Sequence, residues 1–304
     1  MATIGILAGR ERAFTDALIA QLNAGGAAVA EYAIIGGVRM AEEPGYRVIL
    51  DRISYAVPFF QSYLKSAAVM GCQVVNDPFW QLAEDKFLDV SIALAAGLRA
   101  PRTALLPNRE HVPGVVEESL RNRADPLDWE AAMAWVGFPL IMRPHWGAGS
   151  RKAFLIHTPE ELKARWEHSG QGQFILQEWL TGARYVHCLT IGDDALAITR
   201  PMRQAPEQST LPAISTADAD HVSQTAVALA QALGYHMNAV EFALRDGEIF
   251  ATDWLNYAPP VEPAGLTATE FEWAVDRSAG LLARLAELPE MRRYRWDGLS
   301  LAVG

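Results

Sequence analysis

The chain has 304 residues and a formal net charge of −10; half of its residues are hydrophobic and a fifth are charged. That length and usage exclude a disordered chain and point to two or three lobes in one molecule. The acidic balance and the lack of a long basic run speak against a nucleic-acid backbone or an anionic membrane surface as partner, while leaving room for small anions in a local basic pocket.

The first hundred residues alternate short apolar runs with helical spacings. Runs at 3–8, 28–35, 46–50 and 72–75 predict strands, and spacings at 14–22, 59–70 and 81–96 predict helices, the last ending at Gly97. Strands that alternate with helices of that length predict a parallel α/β sheet. The aromatic residues Tyr55, Phe59, Phe60 and Tyr63 are expected in its core. A proline-rich stretch, 101–126, marks a crossing into a second lobe. Beyond it strands at 139–142, 153–157, 174–180, 185–191 and 195–200 predominate, with one helix at 159–168. A helix at 219–233 closed by Gly234, a strand pair at 239–244 and 249–255, and a final helix at 267–285 complete the chain.

No window reaches the ~18 apolar residues of a membrane span, and the N-terminus reads as a first strand; the expected location is the cytoplasm. Cys72 and Cys188 are too few for a disulfide framework or a zinc site and are expected to be small buried hydrophobes. His145, His157, His187 and His236 have no metal-ligand spacing, so a structural or substrate-contacting role is expected of them.

Four stretches carry possible chemistry. Gly147, Gly149 and Ser150 stand in a strand-to-strand connection where backbone N–H groups can approach an anion, or simply form a β-turn. Gln177, Glu178 and Leu180 lie at the end of an apolar strand, which suits either the edge of a purine or a solvated rim. Arg184, Arg200 and Arg203 fall on consecutive strands, where guanidinium forks can converge on phosphate or form a surface ladder. Glu241, Asp253 and Asn256 offer hard oxygen ligands suited to magnesium, or a solvated face. Register discriminates the last pair. A two-residue hairpin loop, Asp246-Gly247, pairs Glu241 with Thr252 and turns Asp253 away, whereas a three-residue loop puts Glu241 and Asp253 on one face. A metal site therefore predicts the three-residue loop.

The order of these stretches is informative. Lys86 in Ala-Glu-Asp-Lys-Phe, then Pro101-Arg-Thr, Gly-Phe-Pro-Leu-Ile-Met-Arg-Pro-His-Trp-Gly-Ala-Gly-Ser at 137–150, Leu-Gln-Glu-Trp-Leu from Leu176, the arginine strands, and Glu241 with Asp253 and Asn256 together resemble the ATP-grasp superfamily. The similarity is to its glutathione-synthetase-like and ribosomal-modification-ligase-like branch, over about 76–260. The fold class it implies is α/β with α+β lobes: an N-terminal parallel α/β domain (1–105), a central lid domain (106–178) and a C-terminal mixed-sheet ATP-grasp domain (179–304).

The resemblance implies ATP and Mg2+ as cofactors, with Lys86 the first phosphate-contacting lysine and Gly147, Gly149 and Ser150 the loop over the phosphates. Gln177, Glu178 and Leu180 would rim the adenine, Arg200 or Arg203 would face the transferred phosphoryl group, and Glu241, Asp253 and Asn256 would hold magnesium. The implied reaction is ATP-dependent ligation of a small-molecule or peptide carboxylate to an amine through an acyl phosphate; the same fold also accommodates a small-molecule kinase or a non-catalytic nucleotide-binding relic, and a homodimer. Three departures stand out: Arg143 replaces the second family lysine, Arg151-Lys152 follow Ser150 where glycine is common, and Asn256 is one residue further from Asp253 than the usual Glu-x-Asn spacing.

Overall fold

The computed structural model describes residues 1–304 except 41, 81–84, 125, 147–152, 200–213, 254–255 and 289–304. Among the described residues, twelve strands form three four-stranded sheets. The first contains β1 (Ala2–Leu7), β2 (Ala28–Tyr32), β3 (Val48–Asp51) and β4 (Gln73–Val75), all parallel in the order β2-β1-β3-β4. Every residue of β3 is buried, as expected of a parallel strand covered on both faces. Helix α1 (Ala13–Gly25) ends at Gly26, whose φ of 69° makes the left-handed stop that favours glycine. Helix α2 (Pro58–Val69) opens on a proline at its first position, where no N–H is needed.

Helix α3 (Lys86–Ala95) begins at Asp85, whose carboxylate accepts from the N–H groups of Phe87 and Leu88. The central sheet follows, with β5 (Thr103–Leu105), β6 (Leu140–Pro144), β7 (Phe154–Ile156) and β8 (Phe174–Glu178) in the antiparallel order β5-β8-β6-β7. Helices α4 (Trp129–Val136) and α5 (Pro159–Glu167) accompany it, and Val136 and Leu162 share a core with Leu140, Met142 and Leu176. β5 lies inside the proline-rich stretch and belongs to this sheet through its pairing with β8.

The third sheet holds β9 (Arg184–Ile191), β10 (Asp194–Thr199), β11 (Met237–Arg245) and β12 (Glu248–Asp253) in the antiparallel order β10-β9-β11-β12. One face packs on α6 (Thr216–Leu233) through Val186, Cys188, Val240 and Phe242. Leu189, Ile191 and Met237 of the other face join the N-terminal sheet and α7 (Ala268–Glu287) in one core. A capping box between Thr267 and Glu270 starts α7. No described helix is long and apolar enough to cross a membrane. Cys72 and Cys188 are buried free thiols, and burial raises the first to about 12 and the second to about 11.

One expectation about the N-terminal lobe fails. Tyr55 is 55% and Phe59 48% exposed, so neither is core. Tyr55 lies in the turn between β3 and α2, and Phe59 in the first turn of α2, whose buried residues are Leu64, Ala67 and Ala68 further along.

That same edge carries the junction with the third sheet. The Asn76 amide donates to the carbonyls of Met237 and Tyr257, at 2.6 and 2.7 Å, and its oxygen accepts from the N–H groups of His236 and Met237. The Tyr257 hydroxyl donates to the Asn76 carbonyl at 3.0 Å. Beside it Arg52 forks onto Glu11 and donates to the Pro259 carbonyl. Asn76→Ala removes four hydrogen bonds to backbone groups, three of them buried. The expected cost is about 2–4 kcal/mol, read as a lower midpoint in urea unfolding; a midpoint within error of the native protein would contradict this account.

Candidate functional site

The site is built by a fault in strand pairing. The β11–β12 connection is the two-residue loop, with Asp246 at φ 54°, Gly247 at φ 77°, and Arg245 opposite Glu248. The three-residue loop that a metal site predicts is therefore absent. Glu241 and Asp253 are nevertheless register partners, because the pairing shifts between Phe242, opposite Ala251, and Glu241, opposite Asp253. Thr252 is the extra residue of this bulge. Its hydroxyl oxygen lies 2.9 Å from the Glu241 carbonyl and 3.1 Å from Glu241 Oε1, holding the carboxylate it has helped to aim.

Cations reach Asp253 from two other elements. Lys86, at the first position of α3, places Nζ 2.8 Å from Asp253 Oδ2. Its backbone N–H donates to the His145 carbonyl at 2.8 Å, and Asp85 bridges to Trp146, which ties the start of α3 to the end of β6. Arg143 of β6 brings one guanidinium nitrogen to 3.4 Å from Asp253 Oδ2 and another to 3.0 Å from the Thr252 carbonyl. Burial pushes the Asp253 carboxyl up, but the Lys86 and Arg143 charges outweigh it and hold the group below the usual carboxylate range. For Glu241 burial wins, helped by the Asp253 charge and opposed by His187, and its carboxyl is raised.

The sequence candidates divide. Lys86, Arg143, Glu241 and Asp253 are brought together. Asn256 donates from its side chain to the Ala239 carbonyl, two residues before Glu241, so the amide clamps β11 to the chain that leaves β12. Gln177 is buried, and its amide donates to Thr103 Oγ1 at 3.2 Å. Leu180 is buried against Tyr185, Ala243 and Phe250 on the site face of the third sheet. Arg184 does not join the site. It pairs with Leu244 on β11, on the face turned to α6, and lines a groove with Ser215 and Asp218; strand alternation puts it opposite to Glu241. Gly147, Gly149, Ser150, Arg151, Lys152, Arg200 and Arg203 lie outside the described residues.

Several groups of the site are not among those candidates. His187 is the β9 register partner of Glu241, with Nε2 3.5 Å from Glu241 Oε2. Arg102 and Arg245 bracket Glu178 at 3.0 and 3.6 Å, one from the central sheet and one from the third. Arg102 stands in the Pro101-Arg-Thr motif and His187 among the histidines expected to be structural or substrate-contacting, but only strand register shows which carboxylates they meet.

The donor set fits a magnesium ion. Asp253 Oδ1 is buried with no hydrogen-bond partner among the described residues, and Glu241 adds a second hard oxygen. No cluster of three His, Cys, Asp or Glu side chains that could hold a metal ion is found among the described residues.

Burial raises Glu178, but hydrogen bonds from Arg102 and the charge of Arg245 outweigh it and hold the carboxyl below its ordinary range. A carboxyl so depressed in the folded state contributes stability that is present above its unfolded pKa and lost as pH falls through the folded value. Glu178→Gln is therefore expected to lower the urea midpoint at about pH 7, with the gap to the native protein closing as pH falls below the ordinary glutamate range. A gap independent of pH would contradict the bracket.

No family model matches the chain. A D-alanine–D-alanine ligase of Aromatoleum aromaticum is 29% identical over 104 residues, which cover 34% of this chain and 28% of that one. The chain thus spans about three tenths of the length of the curated relatives it matches. Among solved structures, an ATP-grasp protein with a RimK domain from Sphaerobacter thermophilus superposes with a TM-score of 0.65 at 17% identity, covering 94% of this chain and 99% of that one. A D-alanine–D-alanine ligase from Bacillus anthracis complexed with ATP gives 0.62 at 14%, with coverage of 94% and 99%. Three sheets in this order, aligned over almost their whole length with such proteins, establish that the chain adopts the ATP-grasp fold.

Proposed function

We propose that the protein is an ATP-dependent ligase that joins a carboxylate to an amine through an acyl phosphate and releases ADP and phosphate. The observation that carries this reading is the meeting of Lys86 and Arg143, from two elements, on the Asp253 carboxylate beside Glu241. A site that juxtaposes buried cations and paired carboxylates from different lobes is suited to a polyphosphate and its counter-ion, because each sign of charge has a partner when the nucleotide is held. The likeness to a solved ligase complexed with ATP supports it.

In this reading the lobes expected at 1–105, 106–178 and 179–304 enclose ATP between the second and third. Lys86 and Arg143 bind phosphate oxygens, and the segment with Gly147, Gly149 and Ser150 covers them. Gln177, Glu178 and Leu180 rim the base, with Arg102 and Arg245 fixing the Glu178 side chain. Glu241 and Asp253 hold magnesium, and Asn256 keeps β11 in place beneath them. Magnesium, when bound, neutralises phosphate charge and makes the γ-phosphorus more electrophilic.

A carboxylate oxygen of the substrate then attacks that phosphorus as the bond to the ADP oxygen breaks. The amine attacks the resulting acyl carbon, loses a proton and expels phosphate. The chain's own contribution is to orient the reactants, neutralise charge and exclude water that would hydrolyse the acyl phosphate. Arg200 or Arg203 faces the transferred group in this scheme. The substrates are a small-molecule or peptide carboxylate and amine.

A second reading, a nucleotide-binding protein without turnover, draws support from Arg143 in place of the family lysine and from the engagement of the Asn256 amide with Ala239. Calorimetric titration with a non-hydrolysable ATP analogue separates these outcomes. We expect magnesium-dependent binding that weakens by about tenfold or more in Lys86→Ala, since a hydrogen-bonded charge contact is lost, and ADP release that requires an added amine. Binding without turnover favours the second reading, and no binding in either condition sinks both.

A further inference from the structure

Strand β9 turns four residues to the site face of the third sheet: Tyr185, His187, Leu189 and Ile191. Tyr185, Leu189 and Ile191 are buried in apolar clusters, at 4%, 3% and 1% exposure. His187 breaks the pattern with a side chain 42% exposed, while the Glu241 carboxylate that it faces is only 15% exposed. Packing does not explain an open imidazole in the middle of an apolar stripe. Its neighbour on β10 is the buried Ile198, and its Nε2 lies 3.5 Å from Glu241 Oε2.

The distribution of cations sharpens the point. Lys86 and Arg143 both approach Asp253 Oδ2. Arg184, the β9 arginine that the sequence offers for phosphate, faces α6 instead. On the Glu241 side of the carboxylate pair, the described donor that faces the cleft from β9 is therefore His187.

We propose that His187 is a catalytic residue that donates a hydrogen bond to the phosphoryl group as it passes from ATP to the substrate carboxylate. This rests on the ligase reading above. His187 Nε2 lies 3.5 Å from Glu241, one of the two carboxylates that would hold the counter-ion, and so would be within reach of a phosphate neutralised there. A donor placed there meets negative charge that builds on the transferring oxygens, and such contacts count more in the transition state than in the ground state.

The test compares two probes on the native chain, His187→Ala and His187→Gln: a non-hydrolysable ATP analogue with magnesium, and ADP with aluminium fluoride and magnesium, which mimics the group in transfer. Both are measured by calorimetry. We expect the ATP analogue to bind all three within about twofold, and the fluoride complex to bind His187→Ala about tenfold more weakly than native, as for a lost hydrogen bond to a charged group. His187→Gln, which keeps a donor, restores most of that loss, and His187→Phe, a ring without a donor, stands in with the same expected loss if the alanine variant fails to fold. Equal affinities for the fluoride complex across the three chains overturn the proposal, as does a loss shared equally by both probes, which would make His187 a mere partner of Glu241. A native chain that binds the ATP analogue but not the fluoride complex overturns this proposal alone. A native chain that binds neither overturns the ligase reading, and this proposal with it.

Discussion

The Glu241–Asp253 pair depends on one extra residue in β12. Without Thr252 in the bulge, the two-residue hairpin would turn Asp253 to the α6 face, and Lys86 and Arg143 would meet no carboxylate. With it, two carboxylates stand side by side in a largely buried position, a costly arrangement unless cations or a metal neutralise them. The contrast between a raised Glu241 and a lowered Asp253 follows from this geometry: burial dominates at Glu241, while Lys86 and Arg143 both approach Asp253 closely enough to outweigh it. Bulges are found where a side chain must be re-aimed against the regular alternation of a strand, and this one has that effect.

The rest of the fold supplies the surroundings the pair requires. Asn76 and Arg52 fasten the N-terminal sheet to the chain at 257–259, just beyond Asp253 and Asn256. The Asp85–Trp146 bridge and the bond from the Lys86 N–H to His145 fasten α3 to β6, so Lys86 and Arg143 are positioned by one shared backbone junction. Glu178 spans the remaining gap, with Arg102 on the central sheet and Arg245 on the third. Each junction uses buried or half-buried polar groups with specific partners, which fixes relative orientation more sharply than apolar packing does.

Much was legible beforehand because it is local. Periods of hydrophobicity mark most strands and helices to within a few residues but not β5 or α4, and Thr267, at the expected start of the last helix, is its cap. Lys86, Arg143, Glu241 and Asp253 were recognisable from their order in motifs. Arg184 was misplaced, since motif order says nothing about which face of a strand a residue occupies, and Tyr55 and Phe59 were assigned to the core from a helical spacing that ignores how much of the helix is covered.

What the sequence determined by itself is therefore the alternating α/β order, which is written in short-range pattern, and, through the order of its motifs, the ATP-grasp fold. What only the tertiary structure decided is the company those residues keep: the bulge that pairs Glu241 with Asp253, His187 facing Glu241, and the two arginines around Glu178. The reason is physical. A one-residue shift in strand pairing exchanges the two faces of a sheet at little local cost, so the choice is made by the summed burial and charge of elements distant in the chain.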